Sequence, residues 1–155
     1  MSELTDLYQA VILDHNRRPR NKGAMENADA HADGRNPLCG DQITVWLKLD
    51  GDVVTDVRFV GQGCAISQAS ASLMTQAVKG KTRAEALDLF ERVHEMVLGK
   101  TAPPTGPNGP LGSLAALGGV SRFPVRVKCA SLAWHTMKAA LEPGAGAAAA
   151  SVSTE

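Results

Sequence analysis

Cys39, Cys64 and Cys129 are the three thiols in this chain of 155 residues, and Asp41 stands two positions beyond the first of them. An odd number of cysteines argues against a disulfide framework and leaves burial, catalysis or metal binding. A lone cysteine is most often a small core hydrophobe. Position argues otherwise here, because each thiol falls at a break between elements. Cys39 sits in the turn Asn36-Pro37-Leu38-Cys39-Gly40 ahead of a strand, Cys64 follows Gly61-Gln62-Gly63 and precedes a helix, and Cys129 lies near the start of the last helix. Core hydrophobes belong in mid-element, whereas ligands and nucleophiles belong at element ends, where the backbone aims them.

A thiol just ahead of a helix N-terminus, as at Cys64, favours its thiolate, since the helix dipole and the free N–H groups attract an anion. Three thiolates brought together repel one another unless a cation joins them. A divalent metal removes that conflict, and Asp41 has the reach to complete a tetrahedral zinc site. Asp41 serves equally well as a turn cap, so Cys-x-Asp alone leaves both readings open. A hard carboxylate closing a thiolate site is an exchangeable ligand, which suits a reactive centre better than a purely structural one.

The remaining polar residues carry weaker signals. His15, His31, His94 and His135 are scattered, and the spacing of His135 from Cys129 points it away from that thiol, so all four read as surface or core-edge residues. Arg17, Arg18, Arg20 and Lys22 form a basic cluster whose ordinary meaning is a solvated face. Arg126 and Lys128 flank Cys129 closely enough to lower its pKa or to contact a partner.

These residues need a scaffold. Leu4, Leu7, Tyr8, Val11 and Ile12 predict an amphipathic helix over about 3–17, stopped by Arg18-Pro19. Ile43, Val45, Leu47 and Leu49 alternate with polar neighbours, Asp50-Gly51 is a turn signal, and Val53, Val57 and Phe59 resume the alternation, so the pair predicts an antiparallel hairpin. Helices follow from Ile66 to Val78, from a Thr82/Glu85 capping box to Val97, and from Pro124 to Leu141. Residues 99–119 hold six Gly and four Pro and read as a long loop. The Gly, Ala and Ser tail 143–155 has too little apolar bulk to order itself and is expected to be disordered.

Composition excludes several classes. With 16 basic against 16 acidic side chains and a pI near 6.9, the chain lacks the basic footprint of a nucleic-acid binder. No apolar run approaches a membrane span and no signal-peptide core opens the chain, so a cytoplasmic protein is expected.

The stretches Tyr8-Gln9-Ala10-Val11-Ile12-Leu13-Asp14-His15, Pro19-Arg20-Asn21-Lys22-Gly23, Asn36-Pro37-Leu38-Cys39-Gly40-Asp41, Gly61-Gln62-Gly63-Cys64-Ala65-Ile66-Ser67 and Val127-Lys128-Cys129 resemble the IscU-type iron–sulfur assembly proteins over roughly residues 4–142. Within that family the chain is most similar to the SufU branch. The Gly/Pro-rich segment 99–119 looks like the SufU insertion, and Lys128 stands where IscU has histidine. Ser121-Arg122-Phe123-Pro124-Val125-Arg126 replaces the segment that IscU offers its chaperone.

The resemblance implies one α+β domain over 1–142, IscU-like, with a small antiparallel three-stranded sheet and helices packed on one face; the third strand would fall within about 28–35. It implies that Cys39, Asp41, Cys64 and Cys129 bind zinc, with Arg126 and Lys128 in support. It further implies that a SufS-type cysteine desulfurase passes persulfide sulfur to Cys39, freed when a desulfurase histidine takes its place on the metal. In that reading the protein is a sulfurtransferase-like acceptor and desulfurase activator, with a SUF scaffold as an onward acceptor. The competing reading is a scaffold for a transient iron–sulfur cluster on the same ligands.

Overall fold

The computed structural model describes residues 3–26, 28–36, 40–98, 117, 124–141 and 150–153. Helix α1 spans Glu3–Arg17 and is followed by three strands, β1 at Ala30–Asn36, β2 at Asp41–Asp50 and β3 at Val53–Gln62. Helices α2 (Ala65–Val78), α3 (Arg83–Val97) and α4 (Pro124–Leu141) come next, and β4 (Ala150–Ser153) closes the described chain.

Strands β1, β2 and β3 form the expected antiparallel meander, in sheet order β3-β2-β1-β4. Pairing of Asp50 with Val53 makes the β2–β3 connection the tight Asp-Gly turn anticipated from the sequence. Inward positions Ile43, Val45, Leu47, Val57 and Phe59 are buried, while Gln42, Lys48 and Arg58 on the other face are exposed. One face of the sheet is therefore the core face, as alternation requires. Helix α4 packs on β1 and β2, α2 on β3, and the outer helices α1 and α3 rest on α2 and α4 respectively. The core is built from Phe59, Leu73, Met74, Met96, Leu132, Trp134 and Met137, with Leu117 the one described residue of the 99–119 segment, also fully buried.

Helix starts follow the sequence signals. Thr82 accepts from the Glu85 N–H while the Glu85 carboxylate accepts from the Thr82 N–H, completing the capping box of α3. Pro124 is the first residue of α4, where its missing N–H costs no helical bond.

Strand β1 has weak periodicity in sequence because its inward residues are small: Ala30, Ala32 and Gly34. The smallness serves packing, since a Cβ at Gly34 would press into Thr136 and Leu132 of α4. Helix α2 uses the same device with buried Ser67, Ala69, Ser70, Ala71 and Ser72, and Ser70 Oγ donates to the Ala130 carbonyl of α4 at 2.6 Å. That bond ties α2 to α4 beside Cys129.

The tail departs from expectation at four residues. Ala150–Ser153 pairs parallel with Ala32–Arg35 as β4, giving partners to a β1 edge that would otherwise expose unpaired backbone groups. No helix among the described residues is long and apolar enough to cross a membrane.

His15 also departs from the core-edge expectation. It is 4% exposed, and its Nδ1 shares a 2.8 Å hydrogen bond with Ser72 Oγ, which accepts from the Arg20 N–H at 2.8 Å as well. The basic cluster is only partly a solvated face, since Arg20 also pairs with Asp14 at 2.7 Å. His94 and His135 meet edge-to-face against Phe90 between α3 and α4.

Burial, then the nearby Arg20, pushes the pKa of His15 below its ordinary value; burial, then His94 and Lys138, does the same for His135. The unfolded chain thus binds more protons than the native one as pH drops through the ordinary histidine range near 6.5. Stability is full above that range and is lost as pH falls. Thermal melts from about pH 7.5 to about pH 5.5 should show a falling melting temperature, with a shallower fall in the His15→Gln/His135→Gln double variant. Parallel profiles would remove these histidines from the account.

Candidate metal centre

The site lies where the end of β1 and the start of β2 meet the N-terminus of α2 and the second turn of α4. Asn36, the last residue of β1, pairs with Asp41, the first of β2. Both are buried, at 0% and 1% exposure. Strand β3 ends at Gln62, and Gly63 (φ 139°) turns the chain so that Cys64 becomes the N-cap of α2. A Cβ at Gly63 would stand 2.8 Å from Asp41 Cα, so this close approach requires glycine.

The two oxygens of Asp41 divide the readings left open by the sequence. Oδ1 accepts the Cys64 backbone N–H at 2.8 Å and thereby fixes the start of α2. Oδ2 faces Cys64 Sγ at 3.9 Å and the Asn36 amide nitrogen at 3.4 Å. Cys64 Sγ in turn accepts the Ser67 N–H at 3.4 Å, the bond an N-cap side chain makes to the first turn of its helix. Cys129, 2% exposed in α4, completes the cluster, with its sulfur 3.6 Å from the Asn36 amide nitrogen.

One donor atom from each of Asp41, Cys64 and Cys129 lies within 4.8 Å of the others. Four-coordinate zinc with bonds near 2.0–2.3 Å sets its ligand atoms roughly 3.3–3.8 Å apart. The observed spacing needs only a small contraction, so two sulfurs and one oxygen fit a borderline-soft divalent ion with room for a fourth ligand. The set is half-open: Cys64 is partly exposed while the other two are buried.

Of the residues singled out from sequence, Asp41, Cys64 and Cys129 converge. Cys39 lies outside the described residues. Arg126 is exposed and Lys128 part-buried in the early turns of α4, three and one positions ahead of Cys129. Asn36 was not singled out, although it opens the Asn36-Pro37-Leu38-Cys39-Gly40-Asp41 motif. A polar residue closing a strand on its buried side, five positions before a candidate ligand, was the available signal.

A helix-covered antiparallel sheet that presents a carboxylate and two thiols at one end defines an α+β protein with a thiol-containing candidate metal centre. The chain matches the NifU-like N-terminal domain across residues 7–143 and belongs to that family. It is 47% identical to the zinc-dependent sulfurtransferase SufU of Bacillus subtilis, over 88% of this chain and 90% of that protein. It is 43% identical to the iron–sulfur cluster assembly scaffold protein IscU of Streptococcus pyogenes, over 95% of this chain and 90% of that one. Among solved structures it resembles FiSufU, a candidate assembly scaffold of the SUF system from Fervidobacterium islandicum, with a TM-score of 0.79 and 39% identity over 88% of this chain and 98% of that one.

Proposed function

We propose that this protein is a zinc-dependent sulfurtransferase of cytoplasmic iron–sulfur cluster biogenesis, receiving sulfur on Cys39 from a SufS-type cysteine desulfurase. The observation that carries the reading is the convergence of Asp41, Cys64 and Cys129 within 4.8 Å, with Asp41 two positions from Cys39 along the chain. The likeness to SufU over most of both chains supports it.

Asp41, Cys64, Cys129 and Cys39 would hold the zinc, which when bound keeps cysteine sulfur in its thiolate form at neutral pH. Cys39 is two residues from Asp41, and two peptide units span at most about 7 Å, so covalent connectivity alone ties it to the centre. Its thiolate attacks the outer sulfur of the donor's persulfide. The donor's S–S bond breaks, a new S–S bond forms on Cys39, and the donor leaves as a thiolate while the transferred sulfur keeps its proton. Oxidation state is exchanged between the two cysteines, and no outside oxidant is needed. Arg126 and Lys128 lie on the same helix as Cys129 and supply positive charge toward the docked donor. A SUF scaffold is the onward acceptor.

Metal analysis with a visible spectrum tests this. The aerobically purified protein should hold close to one zinc per chain and be colourless, and it should accelerate cysteine turnover by a desulfurase. Iron with charge-transfer absorption that survives purification would favour the scaffold activity named for the IscU relatives instead.

A further inference from the structure

Asn36 is fully buried, and its amide reaches across the sheet only to the carboxylate of its strand partner Asp41 among the described residues. Its nitrogen sits between two candidate ligands, 3.4 Å from Asp41 Oδ2 and 3.6 Å from Cys129 Sγ. Turning the amide over would set its carbonyl oxygen against a carboxylate and a sulfur, so the nitrogen must be the end that faces the centre. The consequence is visible at the other end: Oδ1 is buried with no hydrogen-bond partner among the described residues. A buried unpaired carbonyl is uncommon and needs a reason. Filling space does not supply one, because a leucine would fill a similar volume without an orphaned oxygen.

We propose that Asn36 is a positioning residue of the metal centre, one whose N–H groups hold the Asp41 carboxylate and the Cys129 sulfur together and reduce the electron donation of that sulfur. The inference rests on the metal-centre reading above. Groups that hydrogen-bond to ligands from behind orient them and set their basicity. An N–H donated to a thiolate lowers the energy of the sulfur lone pairs, which makes the sulfur a weaker nucleophile. The two described thiols are thereby set apart. Cys64 takes its hydrogen bond from the backbone of its own helix, at a partly exposed position. Cys129 takes one from a dedicated side chain, at a buried position. Asn36 thus keeps Cys129 a ligand and leaves sulfur acceptance to another cysteine.

Cobalt(II) reports this directly, since its sulfur-to-metal charge-transfer band tracks the energy of the thiolate lone pairs. The wild type and two variants would be loaded with cobalt(II) alone and their near-ultraviolet spectra compared. Asn36→Leu removes both polar ends of the side chain, and Asn36→Asp keeps its shape while exchanging the donor for an acceptor. Both bands should move to longer wavelength, with the larger shift in Asn36→Asp. A variant that keeps its circular dichroism but no longer takes up cobalt also supports the proposal, because a residue that merely fills the core does not alter metal uptake. Wild-type bands retained without shift in both variants would overturn it. A wild type that shows no charge-transfer band at all would instead sink the metal-centre reading itself.

Discussion

Stripping the metal with a chelator should lower the melting temperature of this protein by about 10 °C, and restoring zinc should recover it. The donors that would bind it come from three places distant in sequence: Asp41 at the start of β2, Cys64 at the start of α2 and Cys129 in α4. Metal held by all three binds only the native state and so adds its binding free energy to folding. At a free zinc level about 1,000-fold above the dissociation constant this is about 4 kcal/mol. For a chain of this size that corresponds to roughly 8–16 °C. That binding free energy already includes the relief of crowding among a carboxylate and two cysteine sulfurs, which in the metal-free protein are contacted by the Asn36 amide and the start of α2. Calorimetry before and after verified metal removal measures it. An unchanged melt would mean that the centre contributes nothing to the fold.

The elements that carry those donors were readable to different depths, and the reasons are physical. The β2–β3 hairpin announces itself because one face is buried and the other solvated, so bulky Ile43, Val45, Leu47, Val57 and Phe59 alternate with polar residues. Helix α3 is bounded by a capping box and α4 by a proline, both of which act locally and are therefore legible locally. Strand β1 is different. Its inward residues are Ala30, Ala32 and Gly34, chosen for the close approach of α4, and a strand that meets a helix so tightly loses the large apolar side chains that mark a strand in sequence. Resemblance to a family supplied its position where periodicity did not. Strand β4 was unreadable because a parallel pairing of four small residues depends on a distant edge, not on any local pattern.

The candidate centre divides along the same line. Element breaks picked out Cys64 and Cys129, and its spacing from Cys39 picked out Asp41; in the fold Asp41 opens β2, Cys64 caps α2 and Cys129 lies in the second turn of α4. What sequence could not rank was the use of each Asp41 oxygen, one spent on the Cys64 N–H and one turned to the thiols, because that depends on the tight passage at Gly63. Asn36 escaped notice for a related reason: an asparagine beside a proline reads as turn chemistry, and only the meeting of β1 with α4 turns its amide into a neighbour of Cys129.

Replacing the cysteines one at a time should produce two distinct kinds of failure. Cys64 is fixed as the N-cap of α2, with its N–H on Asp41 and its sulfur on the Ser67 N–H, and Cys129 is buried in a helix bonded to α2 through Ser70 and Ala130. Neither sulfur has the freedom to travel to a donor's persulfide without unmaking a helix start or the core. Cys64→Ser and Cys129→Ser should therefore chiefly lose zinc and with it stability, the melting temperature dropping by an amount close to that of metal removal. Cys39 falls between β1 and β2 in the sequence, in the stretch Asn36-Pro37-Leu38-Cys39-Gly40 and outside the described residues, and it is the acceptor proposed above. Cys39→Ser should keep most of the fold and part of the desulfurase binding, while sulfur transfer falls to the level seen with no acceptor present. Trapping the persulfide with an alkylating reagent during desulfurase turnover, followed by peptide mapping, reads the outcome residue by residue. The label should accumulate on the peptide containing Cys39. Label found mainly on Cys129 would overturn the assignment of the acceptor, and it would leave sulfur transfer itself standing, carried by a thiol that must leave its place beside Asn36 to do it.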